Sequence, residues 1–144
     1  MEISSRLRWT FLIHAIVSAV LGAALWLIPG RTLILLGWVQ ETVVLPESDL
    51  VVPGGTFVDP LITRLMGAAL LALALSSYQG WRAGKWSQVS LLVQMETLFC
   101  LLGTLAFIAV PVITERSIPP ALWGLLIVTA AFGAAWGIAL RKGE

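Results

Sequence analysis

The chain has 144 residues, 58% of them hydrophobic and 12% charged, with a net charge of +1. A soluble domain is about 45–50% apolar and about 25% charged, so this composition excludes an ordinary water-soluble fold, and the near-neutral balance lacks the basic face that nucleic acid requires. The length suits a single domain, residues 1–144, and the one cysteine, Cys100, allows neither an intrachain disulfide nor a CxxC motif.

Arg6 and Arg8 precede an uncharged run that gives a first span at about residues 9–29, with His14 its only titratable group. Basic residues before an apolar run also mark a signal peptide. The run here is about 20 residues, longer than the roughly 7–15 of such a segment, and Pro29-Gly30 is not a small-x-small cleavage site, so a retained span is expected. Pro29-Gly30 should end that helix. Residues 31–41 are apolar but shorter than the roughly 20 that cross a bilayer, and are expected to form an interfacial or re-entrant helix. Residues 42–60 are the one sizeable loop, rich in Pro, Gly and acids; TVVL and LVV around PESD suit a small hairpin.

Asp59-Pro60 reads as a helix start, because aspartate caps free N–H groups and proline suits the first helical position. The second span follows at about residues 61–79. Arg64 lies one turn in, where its long stem can snorkel to the interface. GWRAGKW, residues 80–86, is a tight basic connection that makes spans two and three an antiparallel hairpin. The third span is expected at about residues 87–111, ending near Pro111. The fourth, at about residues 119–140, opens on Ser117-Ile118-Pro119-Pro120 and closes on Arg141 and Lys142.

These elements predict an all-α, integral membrane four-helix bundle of up-down topology, with a short interfacial helix and a non-cytoplasmic loop between spans one and two. The expected location is the cell (plasma) membrane, crossed several times. Lys and Arg mark the cytoplasmic side. Arg6, Arg8, Arg82, Lys85, Arg141 and Lys142 fall on the side of both termini, which are therefore expected to be cytoplasmic. The opposite side has Arg31, Arg64 and Arg116 among Glu41, Glu47, Asp49, Asp59 and Glu115. Aromatic belts give a second criterion: Trp9, Trp81, Trp86, Trp136 and Tyr78 fall toward the inner interface, and Trp26, Trp38 and Trp123 toward the outer.

Helices in lipid associate through small residues and polar contacts. The expected seams are Ala68, Ala72 and Ser76 on the second span, and Ala15, Ala19 and Ala23 on the first, with Ser18 and Gly22 on an adjoining stripe. The fourth offers Gly133-x-x-x-Gly137, read as intrachain packing ahead of a homodimer face.

The polar exception is Glu96, about 15 Å along the third span from Trp86 at the helical rise per residue. An ionisable group there is a candidate site by default. Glu96, Cys100, Gly103 and Phe107 share one helical face, with Ser18 at a similar depth on the first span and His14 about a turn nearer the cytoplasm. Desolvation favours the protonated acid, which can donate a hydrogen bond to Ser18, His14 or a backbone carbonyl. The candidate polar intramembrane site is Glu96, His14, Ser18 and Arg64. It reads as a helix–helix bolt, as a proton or cation site, as the anchor of a lipid or quinone headgroup, or as a contact with a partner subunit. Arg64 could pair with Asp59 or Glu115, or hold an anionic headgroup. A lone histidine cannot ligate a bis-histidine haem or a structural zinc. No catalytic, cofactor or metal residues are assigned, and no cofactor is expected.

The order of a short basic N-terminus, a span, Pro29-Gly30, an interfacial segment, a loop and then RLMGAALLALAL resembles the DoxX-like group of small four-span bacterial membrane proteins. Pro29, Arg64, Leu65 and Gly67 carry the likeness, and the layout covers most of the chain. Some members are described as accessory subunits of membrane oxidoreductases, so the resemblance implies a subunit role. The expectation is a non-enzymatic accessory or scaffold subunit whose partners are the lipid bilayer and other membrane subunits or a second copy, with no nucleic acid. The alternatives are a proton-coupled transporter using Glu96 and a lipid- or quinone-binding protein.

Overall fold

The computed structural model describes residues 2–114 and 119–143. Five helices and one small hairpin follow in order: α1 (Ser5–Leu27), α2 (Pro29–Leu35), β1 (Thr42–Val44), β2 (Val51–Pro53), a 3-10 turn at Gly54–Phe57, α3 (Pro60–Arg82), α4 (Trp86–Thr114) and α5 (Pro120–Lys142). Four of the helices are long and apolar enough to cross a membrane. Apolar side chains point outward along all four, among them Val20, Leu65, Leu91 and Ile127. An apolar surface of that extent is unsuited to water, and the chain reads as a multi-pass membrane protein.

Capping chemistry sets the helix starts. Ser4 accepts a hydrogen bond from the Leu7 amide at 3.3 Å, which lets α1 begin before its apolar run. Asp59 accepts from the amides of Leu61 and Ile62 at 2.8 and 3.0 Å, and Pro60 takes the first position of α3. At the other extreme Gly143 takes a left-handed φ of 70° and its amide closes α5 onto the Ala139 carbonyl.

The break after α1 differs from expectation in detail. Pro29 opens α2 as well as closing α1, and α2 ends at Leu35, so residues 36–41 are not helical. Thr32 bridges the break: its hydroxyl lies 2.9 Å from each of the carbonyls of Ala24 and Ile28, as a second donor to acceptors that already take the Ile28 and Thr32 amides. The hairpin forms with Val43 opposite Val52 and Val44 opposite Val51. The third long helix does not stop near Pro111 but runs on to Thr114. Proline costs the helix the bond its missing N–H would make to the carbonyl four residues back, and so near the terminus little of the ladder is affected. Gly80 and Trp81, expected in the connection, lie inside α3, leaving Ala83, Gly84 and Lys85 as the link.

α1 runs antiparallel to α3, with contacts stepping from Phe11–Gly80 through His14–Ser77 and Gly22–Gly67 to Trp26–Arg64. α4 and α5 pair in the same sense through Cys100–Gly133 and Gly103–Thr129. The N-terminal strand of chain lies beside the α3–α4 link, where the Ile3 amide donates to the Gly84 carbonyl at 3.3 Å. The terminal end of the bundle is therefore distinct from the hairpin end. The core, formed by Ile3, Leu7, Phe11, Val89, Val93, Cys100, Trp136 and Ala139, lies in the terminal half.

The α1–α3 seam is tighter than side-chain packing alone allows. A Cβ added to Gly67 would lie 2.8 Å from both the Gly22 carbonyl and the Trp26 amide, and one on Gly22 would lie 2.9 Å from the Gly67 carbonyl. Only glycine permits that approach. The seam on α3 is Thr63, Gly67, Ala74 and Ser77, all buried. The expected stripe of Ala68, Ala72 and Ser76 is displaced by one helical position: Ala72 is exposed, and Ala68 and Ser76 are half-buried. Spacing fixed the periodicity, while the partner glycine on α1 chose the phase. Gly133 packs within the chain, 3.3 Å from Cys100 by the same measure, whereas Gly137 faces open space.

Candidate functional site

All four long helices send a side chain to one point. Glu96 from α4 is 1% exposed, His14 from α1 is 5% exposed, and Ser77 from α3 is fully enclosed. Trp136 and Phe132 from α5 close the far side. Their rings meet the His14 imidazole edge-on, with centroids 5.9 and 4.7 Å away. Phe11 packs on Trp136 at 4.7 Å and seals the assembly toward the terminal end.

The polar contacts form one chain. Ser77 Oγ donates to Glu96 Oε1 at 2.9 Å, and Ser76 Oγ reaches the same oxygen at 3.2 Å. His14 Nδ1 is 2.8 Å from Ser77 Oγ and 3.5 Å from Glu96 Oε2, while its Nε2 is 3.4 Å from Ser18 Oγ. A serine hydroxyl has one proton. When Ser77 gives it to Glu96, the serine oxygen accepts from His14 Nδ1–H. When Glu96 is protonated and donates to Ser77, the serine proton turns to His14 Nδ1 instead. In both cases His14 Nε2–H can donate to Ser18. Ser76 is satisfied either way, because its hydroxyl also reaches the Leu73 carbonyl at 2.9 Å. The two arrangements differ by one proton moved from carboxyl to imidazole through a hydroxyl, with no change in net charge.

Two buried atoms in the cluster, Glu96 Oε2 and Trp136 Nε1, make no hydrogen bond. Among the described residues, no group of three His, Cys, Asp or Glu side chains converges to hold a metal ion.

Of the four residues expected at the site, three are brought together: Glu96, His14 and Ser18, the last through His14. Arg64 is not with them. It lies toward the hairpin end, where its Nε donates to the Trp26 carbonyl at 3.2 Å, one of the acceptors left over at the end of α1. The Asp59 carboxylate is occupied by the α3 amides, and Glu115 lies outside the described residues. Cys100 is buried one turn from Glu96 against α5, as a packing residue.

Sequence reasoning missed Ser77, Ser76, Phe132 and Trp136. The serine pair is the only such doublet in the second apolar run and could have been matched to the acid by depth. Trp136 was expected as an inner-interface anchor; it is wholly buried in the core instead. It lies only a few residues from Arg141, so depth alone suggested the interface, but its helical phase turns it toward α1.

Neither of two surface grooves touches this cluster's acid. One, between α1 and α5, is lined by Ile13, Val17, Val128 and Phe132 among others. The second, between α3 and α4, is lined by Tyr78, Arg82, Gln88 and neighbours. No protein-family model, curated protein or solved structure matches the chain.

Proposed function

We propose that this chain is a multi-pass membrane protein without catalysis of its own, serving as an accessory or scaffold subunit, in which Glu96, Ser77 and His14 act as an internal clamp between helices. The observation that carries this reading is that Glu96, Ser77 and His14 are buried and turned toward one another, and that neither of the two grooves described is lined by any of them. A transporter working through Glu96 needs a water path to it. A quinone or lipid site centred on Glu96 or Arg64 needs a cleft lined by one of them. Both features are missing from the two grooves described. A subunit role is also what the resemblance to the DoxX-like group implies. Both termini are assigned to the cytoplasm on the Lys and Arg distribution, with the acidic hairpin loop outside.

Solubilisation of native membranes in mild detergent, followed by native mass spectrometry, tests the role. The chain is expected at a mass well above its own 15.5 kDa, in fixed stoichiometry with another membrane protein. Recovery only as a free monomer overturns the reading. The clamp is tested separately by Glu96→Gln, which is expected to retain the fold. A proteoliposome proton flux that this substitution abolishes would establish the transporter instead.

A further inference from the structure

The groove between the end of α3 and the start of α4 is divided chemically. Its volume is about 600 Å³. Leu75 and Leu92 line it on the side nearer the bundle centre, and Gln79, Arg82 and Gln88 on the side nearer the link. Arg82 sits over the Tyr78 ring, with its guanidinium carbon 6.0 Å from the centroid. Among the described residues no carboxylate pairs with it. Gln88 accepts from the amides of Gly84 and Lys85 through Oε1 at 3.1 Å each, which fixes the side chain and leaves its NH₂ donors unspent. On the link, Lys85 stands opposite Glu2 in an antiparallel bridge, so Arg82 carries the charge of this groove. A cation held in place without an acid partner, flanked by amide donors at the end of an apolar trough, complements one kind of molecule: an amphiphile with an anionic head and a hydrocarbon tail.

We propose that this groove seats one anionic phospholipid, with Arg82 on the phosphate, the Gln88 amide as a second donor, and an acyl chain laid along Leu75 and Leu92. The guanidinium is suited to phosphate because its planar donors match the phosphate oxygens. Stacking on Tyr78 limits the side-chain freedom that would be lost on binding. The proposal rests on the membrane reading above but not on the subunit role, since it concerns the isolated chain.

Native mass spectrometry of the full chain released from nanodiscs of equal phosphatidylglycerol and phosphatidylcholine tests it. The wild type is expected to retain one phosphatidylglycerol over phosphatidylcholine by about fivefold, the scale of one arginine at an anionic lipid surface. Arg82→Gln should bring that ratio to about one, whereas Arg64→Gln, at the opposite end, should leave it unchanged. Circular dichroism and elution volume confirm that each variant is folded. Equal retention of the two lipids by the wild type overturns the site. So does an undiminished preference in Arg82→Gln, or a thermal stabilisation by inorganic phosphate alone equal to that by phosphatidylglycerol, which would make the ligand a free anion. A chain found alone in native membranes would sink the subunit role and leave this result standing.

Discussion

The terminal half and the hairpin half of the bundle are held by different means. In the terminal half all four helices meet, through Phe11, Trp136, Val89 and Val93 and through the His14–Ser77–Glu96 chain. In the hairpin half α1 and α3 close on each other backbone to backbone at Gly22 and Gly67, while the last turns of α4 carry exposed Ile108, Val112 and Ile113. One half is joined by large rings around buried polar atoms, the other by the absence of side chains. In lipid both are effective, because apolar area alone does not drive helices together there. The polar cluster also does what glycines cannot, since its hydrogen bonds have direction and select one rotation of each helix.

The glycine seam should give the largest effect. Gly67→Leu must push apart two backbones, and is expected to cost about 3 kcal/mol, seen as a loss of monodisperse protein on size exclusion and a sharply lower Tm. If Gly67→Leu behaves as wild type, α1 and α3 are not packed as described. The clamp comes next. Glu96→Ala removes the acceptor shared by Ser76 and Ser77 and opens space beside His14, and should cost about 2 kcal/mol by thermal unfolding in detergent. Glu96→Gln keeps an acceptor for Ser77 and should cost less than half as much. Equal losses for the two would mean that charge, not hydrogen bonding, holds this half together.

Smaller effects sharpen the contrast. Thr32→Val removes a hydroxyl that caps the carbonyls of Ala24 and Ile28. A loss of about 0.6 kcal/mol, the scale of a single polar contact in lipid, is expected in the same assay. Gly137 faces open space while Gly133, one turn earlier, faces Cys100. Gly137→Leu should therefore change stability by less than about 0.5 kcal/mol, and Gly133→Leu by distinctly more. A shift in oligomeric mass on Gly137→Leu would reveal a second copy on that face.

Much of this was legible in the residues. Runs of apolar side chains between charges announce four long helices whatever their neighbours, because backbone groups in an apolar setting must be satisfied within the segment. Asp59-Pro60 and Pro29-Gly30 mark their boundaries by local sterics and capping. The PESD hairpin follows from its valines and turn residues. Glu96 stands out because it is the one acid inside such a run, and His14 because it is the one histidine.

What one-dimensional order does not contain is the rotation of each helix about its axis. Small residues are frequent enough on α3 that either of two adjoining stripes could have made the seam; contact with Gly22 selected the one through Gly67. The same rotation brought Ser77 rather than a backbone carbonyl to Glu96 and turned Trp136 from an expected surface anchor into the lid of the polar cluster; Arg64 is kept from it by depth instead, about 20 Å along α3 from Ser77. Depth along a helix is a count of residues, and so can be read from the chain. Azimuth is a property of pairs of helices, and is fixed only when they pack.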